Sequence, residues 1–280
     1  MAWQRAPFML HWPSMSEELL IHPVTGEVMP PATPAATMVI FRNNPEGGPP
    51  LILMVERVKS MAFAGGMVVF PGGKVDDHDR AYAGILDHGL DLHEAAARLA
   101  VIRETIEEAG LALALDGVTD AADCAEARAA LFDGASLKEI CDDFGWTPQL
   151  HQLVPWARWR PPNLETRVFD TRFYLLDAGD AHLPAVVDNT ENRMLFWDSA
   201  PGILDKIARK EVKAIFPTVR NLERLAQFES FEDAASHAAQ YPVKLLLTYV
   251  EERDGVPHIC IPDGHGYPVV AEAMTTATRG

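Results

Sequence analysis

Between Leu92 and Ala109 apolar side chains recur at spacings of three and four, at Ala95, Leu99, Ile102 and Ile106, the period of a helix with one buried face. Gly110 follows as a stop, a residue able to close the last turn in the left-handed conformation. Elsewhere the chain is read as shorter β-prone runs. Ala36 to Arg42 and Leu51 to Val58 predict two strands joined by a Pro/Gly-rich turn, and Met67 to Phe70 predicts a third that ends at Pro71-Gly72-Gly73. Asp120 to Phe132 and Ser136 to Phe144 predict two short helices rich in alanine and acid, in which no chemistry is legible. Leu153 to Arg160 and Arg167 to Leu176 return to the strand pattern, and Glu191 to Trp197 predicts one more strand. Helices follow at Ser199 to Arg209, Pro217 to Phe228 and Phe231 to Gln240. Lys244 to Val250 and His258 to Pro262 flank Asp254-Gly255, a two-residue hairpin signal.

This order of strands and helices gives an organisation in three parts. Residues 1–34, with Pro30-Pro31-Ala32-Thr33-Pro34, read as an irregular arm. Residues 35–230 read as the main domain, with a helical insertion at about 115–150, and 231–280 as a helix and hairpin extension.

At 280 residues, 48% hydrophobic and 23% charged, the chain has ordinary globular composition and enough length for a full core. The net charge of -16 opposes binding to nucleic acid, because neutralising phosphates needs clustered Lys and Arg. A small anionic substrate remains compatible with that charge if a cation offsets the acidic field, which points toward a metal. Three cysteines without CxxC spacing argue against a disulfide framework or zinc knuckle and fit a reducing cytoplasm. The ten histidines form no HxxxH or HExxH pair, and no apolar run is long enough to span a bilayer, so neither zinc nor a membrane is expected.

The predicted helix carries Glu104, Glu107 and Glu108 at positions i, i+3 and i+4, and like charges so placed repel one another unless something positive sits between them. A divalent cation removes that cost, and hard carboxylate oxygens suit Mg²⁺, with Mn²⁺ as the alternative ion. Arg103, four positions before Glu107, can fix the direction of that carboxylate, while Gly72 and Gly73 let backbone approach a metal or phosphate closely.

The run Arg103-Glu104-Thr105-Ile106-Glu107-Glu108-Ala109-Gly110-Leu111, preceded by Phe70-Pro71-Gly72-Gly73, resembles the signature of the Nudix hydrolase family. It departs from the pattern at Thr105, where the family has an aliphatic residue. Gly73 and Arg103 are 30 positions apart, wider than the family's usual interval, so His78 to Asp91 is read as an insertion within the box. The upstream acid of the signature is left open among Asp76, Asp77 and Glu94.

The resemblance implies an α/β/α sandwich with a mixed sheet, carrying the helical insertion and the C-terminal extension. It implies hydrolysis of a pyrophosphate linkage in a nucleoside diphosphate joined to another moiety. Glu104, Glu107 and Glu108 carry over as metal ligands, the Gly72 carbonyl as a further ligand, and Arg103 as the orienting residue. Glu104 and Glu191 are the two candidates for the general base, the second because it lies in a polar loop just before a strand. Arg57 and Gly66 stand at the spacing of a motif found in coenzyme A pyrophosphohydrolases, whose second arginine would fall on Ala62. Coenzyme A or acyl-coenzyme A is accordingly the substrate hypothesis. A non-catalytic protein sensing a nucleotide-linked ligand is the alternative, and a homodimer is compatible with relatives that pair, although nothing in the sequence marks an interface. Trp156, Trp159 and Arg160 read either as a base-stacking cluster or, with greater weight, as aromatics packed into a core. Arg167, Arg172 and the Phe169-Asp170-Thr171 stretch read as a phosphate site or as structural ion pairs.

Overall fold

A computed structural model of the chain describes residues 20–58, 64–118, 120–161, 168–179 and 192–277. The main sheet is built on β1 (Thr33–Arg42), whose side chains alternate between two cores: Ala36, Met38 and Ile40 face one, and Val39 and Phe41 face the other. That alternation makes β1 a central strand covered on both faces. Parallel to it along one edge runs β8 (Phe169–Asp177), and beyond that β7 (Val154–Arg160) antiparallel. The other edge of β1 is shared. Phe41 and Arg42 pair with β2 (Leu51–Arg57), while Ala35 to Thr37 pair with β4 (Gly72–Lys74). β2 carries β3 (Val68–Val69) and β9 (Asn192–Ser199) as antiparallel partners. The sheet therefore forks where β2 and β4 leave β1, and the Pro71-Gly72-Gly73 turn sits at the fork.

One face is covered by α2 (Leu92–Ala109) with α1 (Asp77–Ala83), α3 (Ala121–Phe132) and α4 (Leu137–Phe144) around it. The opposite face is covered by α5 (Ala200–Ala208), α6 (Phe216–Leu225) and α7 (Phe231–Gln240). The result is the expected α/β/α sandwich with a mixed sheet. α2 occupies the predicted residues, capped by Asp91 at its start and by left-handed Gly110 at its end. Its Ala95, Leu99, Ile102 and Ile106 are fully buried.

Four details differ from the sequence reading. Strand β1 begins at Thr33, inside the proline-rich arm, because the parallel ladder to β8 extends down to Thr33 and Phe169. A short helix, α1, forms within the stretch read as an insertion, closed by a reciprocal capping box between Asp76 and Asp79. Two-residue strands β5 (Leu115–Asp116) and β6 (Thr147–Pro148) tie the ends of the helical insertion together. The run Lys244 to Val250 is two strands: β10 (Leu245–Leu247) joins β7 in the main sheet, and β11 (Tyr249–Arg253) turns at Asp254-Gly255 into β12 (Val256–Cys260), which also pairs with β13 (Ala271–Ala273). Thr248, buried between them, marks the change of sheet. Trp156 and Trp159 are core residues, buried against α6 and the C-terminal segment, so the packing reading of that cluster holds.

Because Ile102 is wholly enclosed between α2 and the sheet, Ile102→Ala should cost about 2–5 kcal/mol in cavity and transfer terms. Urea unfolding monitored by tryptophan fluorescence measures it, and a loss below about 1 kcal/mol would contradict the burial.

Candidate active site

The fork of the sheet brings the glycine turn against the C-terminal half of α2. Gly72 has a φ of +154°, and a Cβ there would collide with the Ala36 carbonyl and lie 2.7 Å from Thr37 Cα. A Cβ on Gly73 would collide with the Glu104 carboxylate. Gly72 is thus required by its close approach to β1, while a side chain at Gly73 would displace the Glu104 carboxylate from its present position. The Gly72 N–H donates to Glu108 Oε2 at 2.8 Å, so the turn and helix are joined through the backbone.

Arg103 is the hub. Its Nε and Nη2 donate to the two oxygens of Asp79 at 3.1 and 2.9 Å, a bidentate pair. Nη2 also donates to the Lys74 carbonyl at 3.0 Å, and Nη1 to Glu104 Oε1 and Glu107 Oε2, each at 3.0 Å. The expected contact to Glu107 is present, but the partner that anchors the guanidinium is Asp79, which was not among the candidates. Of those, Asp76 lies 3.6 Å from Arg103 and caps α1, Asp77 is exposed, and Glu94 pairs with Arg98 and Arg172 elsewhere. Asp79 lay inside the presumed insertion and is an aspartate. The signal that could have found it is an acid six positions after Gly73, whatever the distance from there to Arg103.

The acids are therefore not left repelling one another: Arg103 stands between Glu104 and Glu107, and Arg57 lies 3.8 Å from Glu108. Arg57 and Gly66 meet through Gly66 N–H to the Arg57 carbonyl at 3.0 Å, which sets Arg57 at the edge of the acidic group; Ala62 lies outside the described residues. So does Glu191. Burial and the neighbouring Glu108 and Glu107, opposed by Arg103, push the Glu104 carboxyl up to about 8. Burial also raises Asp79, against the pull of Arg103. Thr105, the departure from the family pattern, is completely buried and its hydroxyl donates to the Val101 carbonyl at 2.7 Å, so the polar atom is satisfied within its own helix.

The last turn of α2 has no basic residue of its own. Arg128, on α3, supplies one, donating from Nε to the Glu107 carbonyl at 2.8 Å and from Nη2 to the Glu108 carbonyl at 3.2 Å. A guanidinium on these end carbonyls satisfies them and complements the negative end of the helix dipole. The helical insertion, featureless in sequence, thus holds the end of the acidic helix in place.

Glu104, Glu107, Glu108 and the glycine backbone form an all-oxygen donor set, without thiol or imidazole, of the kind hard divalent cations take. Among the described residues no three His, Cys, Asp or Glu side chains already converge as a ready cage, since Arg103 draws Glu104 and Glu107 to itself.

Comparison with known proteins fits this geometry. Residues 88–225 match the NUDT19 Nudix domain. A Nudix hydrolase structure from Alicyclobacillus acidocaldarius aligns with a TM-score of 0.64 and 28% identity, covering 75% of this chain and 97% of that one. Over these residues the chain resembles the Nudix hydrolase family. Proteins of the family generally use divalent metal ions. The chain is also 29% identical over 164 residues to a Gallus gallus protein described as acyl-coenzyme A diphosphatase NUDT19. That match takes in 50% of this chain and 43% of the relative, so the chain spans less than half of the relative's length.

Removing Asp79 takes the bidentate acceptor from Arg103 Nε and Nη2 and leaves Glu104 and Glu107 as the acids still hydrogen-bonded to the guanidinium. Asp79→Ala should destabilise the fold by about 1–3 kcal/mol, the cost of leaving buried donors without their acceptor. Urea unfolding reads the loss, and a change within about 0.5 kcal/mol would show that Asp79 is not the anchor.

Proposed function

We propose that this chain is a Mg²⁺-dependent hydrolase that splits the pyrophosphate linkage of a nucleoside diphosphate joined to another moiety, with coenzyme A or an acyl-coenzyme A ester as substrate. The observation that carries the reading is the intact set of Glu104, Glu107 and Glu108 on one helix end, held by Arg103 against the Gly72-Gly73 turn. The description of the Gallus gallus relative supports the coenzyme A assignment; of the coenzyme A motif this chain keeps Arg57 and Gly66, while its second arginine is replaced by Ala62, which weakens that part of the support.

A divalent cation, when bound, neutralises charge on the nonbridging oxygens of the pyrophosphate and activates water. Glu104, Glu107 and Glu108 would hold it, with the Gly72 carbonyl as a further donor. Arg103 fixes the orientation of Glu104 and Glu107 before any ligand arrives, which lowers the reorganisation needed on binding. Arg57, beside Glu108, presents a guanidinium to the substrate phosphates. Glu191 or Glu104 takes the proton from the attacking water. The chain acts as a small-molecule enzyme, without nucleic acid or membrane as partner; among the described residues no helix is long and apolar enough to cross a membrane.

Incubation with Mg²⁺ and, separately, coenzyme A, an acyl-coenzyme A, ADP-ribose, NADH and diadenosine polyphosphates should give two phosphate-bearing products from the coenzyme A compounds, and chelation should abolish them. Absence of turnover on all five, with no effect of Mg²⁺ on melting temperature, would overturn the enzyme reading.

Glu191→Gln should lower kcat about 10²- to 10⁴-fold while keeping the Mg²⁺-induced rise in melting temperature, if Glu191 is the general base. Unchanged turnover in that variant assigns the proton to Glu104.

A further inference from the structure

Glu104, Glu107 and Glu108 stand near the C-terminal end of α2, where the helix dipole is negative and an acid is least favoured. The cap at Gly110 relieves part of that. The Gly110 and Leu111 N–H groups turn back to the Ile106 and Thr105 carbonyls, at 2.9 and 3.4 Å. There the local device stops. The next two carbonyls belong to Glu107 and Glu108, themselves two of the acids, and Arg128 takes both through Nε and Nη2. Arg128 is itself buried, and a Cβ added to Gly110 would come 3.4 Å from its Nη1, so the guanidinium is fitted closely against the helix end.

Arg128 holds these residues by the backbone, not by the carboxylates. The side chains are held by others: Glu107 Oε2 accepts from Arg103 and Glu108 Oε2 from the Gly72 N–H. Arg103 and Gly72 thus fix where the acid heads point, and Arg128 fixes the turn from which they rise. The same insertion grips the other support of the acids. Tyr82 of α1 and Cys141 of α4, both buried, meet side chain to side chain, and α1 is the helix that presents Asp79 to Arg103. Strands β5 and β6 close the insertion on itself, Leu115 opposite Pro148. Covering apolar surface needs no buried guanidinium, whose desolvation is costly, so the presence of Arg128 at these two carbonyls calls for a further role.

We propose that Arg128 is a positioning residue for the cation-binding acids, setting the last turn of α2 without touching cation or substrate. The inference rests on the reading of Glu104, Glu107 and Glu108 as cation ligands. It carries a sign that separates it from a plain charge effect. A positive group near a cation site lowers cation affinity, so on charge alone its removal should tighten binding. Loss of a positioning residue does the opposite.

Arg128→Gln removes both the charge and the fork. Its Mg²⁺ dissociation constant, measured by isothermal titration, should rise about 10- to 100-fold, the usual cost of losing a group that orients ligands from behind. Amide hydrogen exchange should quicken from Glu108 to Leu111 while the earlier turns of α2 keep wild-type protection. Hydrolysis of coenzyme A by this variant should climb back toward wild type as Mg²⁺ is raised. Arg128→Lys keeps the charge but brings one point donor to two carbonyls, and should fall between wild type and Arg128→Gln on each measure. Should Arg128→Gln fail to fold, Arg128→Lys decides, with Mg²⁺ binding weakened at least about threefold. Unchanged or tighter Mg²⁺ binding in a folded variant, or weaker binding with unaltered exchange at Glu108 to Leu111, would overturn the positioning role. Wild-type protein that binds no Mg²⁺ would instead overturn the reading of the acids as cation ligands.

Discussion

Arg103 contributes the interaction on which the rest of the site rests. A guanidinium carries five N–H groups in a rigid plane, and here they reach Asp79, the Lys74 carbonyl, Glu104 and Glu107, so one side chain ties the end of β4, the short helix α1 and the acidic end of α2 to one another. Burying carboxylates beside one another is costly, and the raised Glu104 carboxyl reflects that cost. Without a buried cation of fixed shape, those acids would either swing outward into water or take up protons. A lysine could supply the charge but not four separate directions.

Around that hub the backbone does the rest. β1 divides its edge between β2 and β4, and the gap so made admits two glycines where any side chain would strike the strand or the acid. On the far side Arg128 closes the carbonyl end of α2. The acids are therefore held from three directions: by a side chain before them, by backbone N–H beside them, and by a second arginine behind them. Geometry held in this way lowers the reorganisation that ligand binding demands.

The range of each interaction decides how much of this was legible in sequence. The helix Leu92–Ala109 and its Gly110 stop were readable because periodicity and capping are local. Strands β1, β2, β7 and β8 were readable for the same reason, as was the hairpin at Asp254-Gly255. The placement of β10 in the main sheet was not, since Leu247 and Tyr249, two positions apart, belong to different sheets and only the tertiary pairing distinguishes them. Asp79 was missed because the stretch after it is long, which drew the whole segment into the presumed insertion. Arg128 was missed because a residue capping the end of a separate helix leaves no trace in its own neighbourhood. Arg158 and Arg172, opposite each other, are likewise legible as members of structural ion pairs, with Asp170 and Glu94, only once the register of β7 and β8 is known.

The capping box at Asp76 and Asp79 also bears on how such sites diversify. Everything the acids need from upstream is complete by Asp79, and α2 begins afresh under its own cap at Asp91. Between Ala83 and Asp91, Leu86 and Leu90 pack against the core, and His88 bonds to the Ala83 carbonyl and the Leu90 N–H rather than to the acids. The interval between turn and helix is thus free to lengthen while the bonds at its two ends are kept. A chain of this kind is better recognised by which oxygen meets which nitrogen than by how many residues separate them.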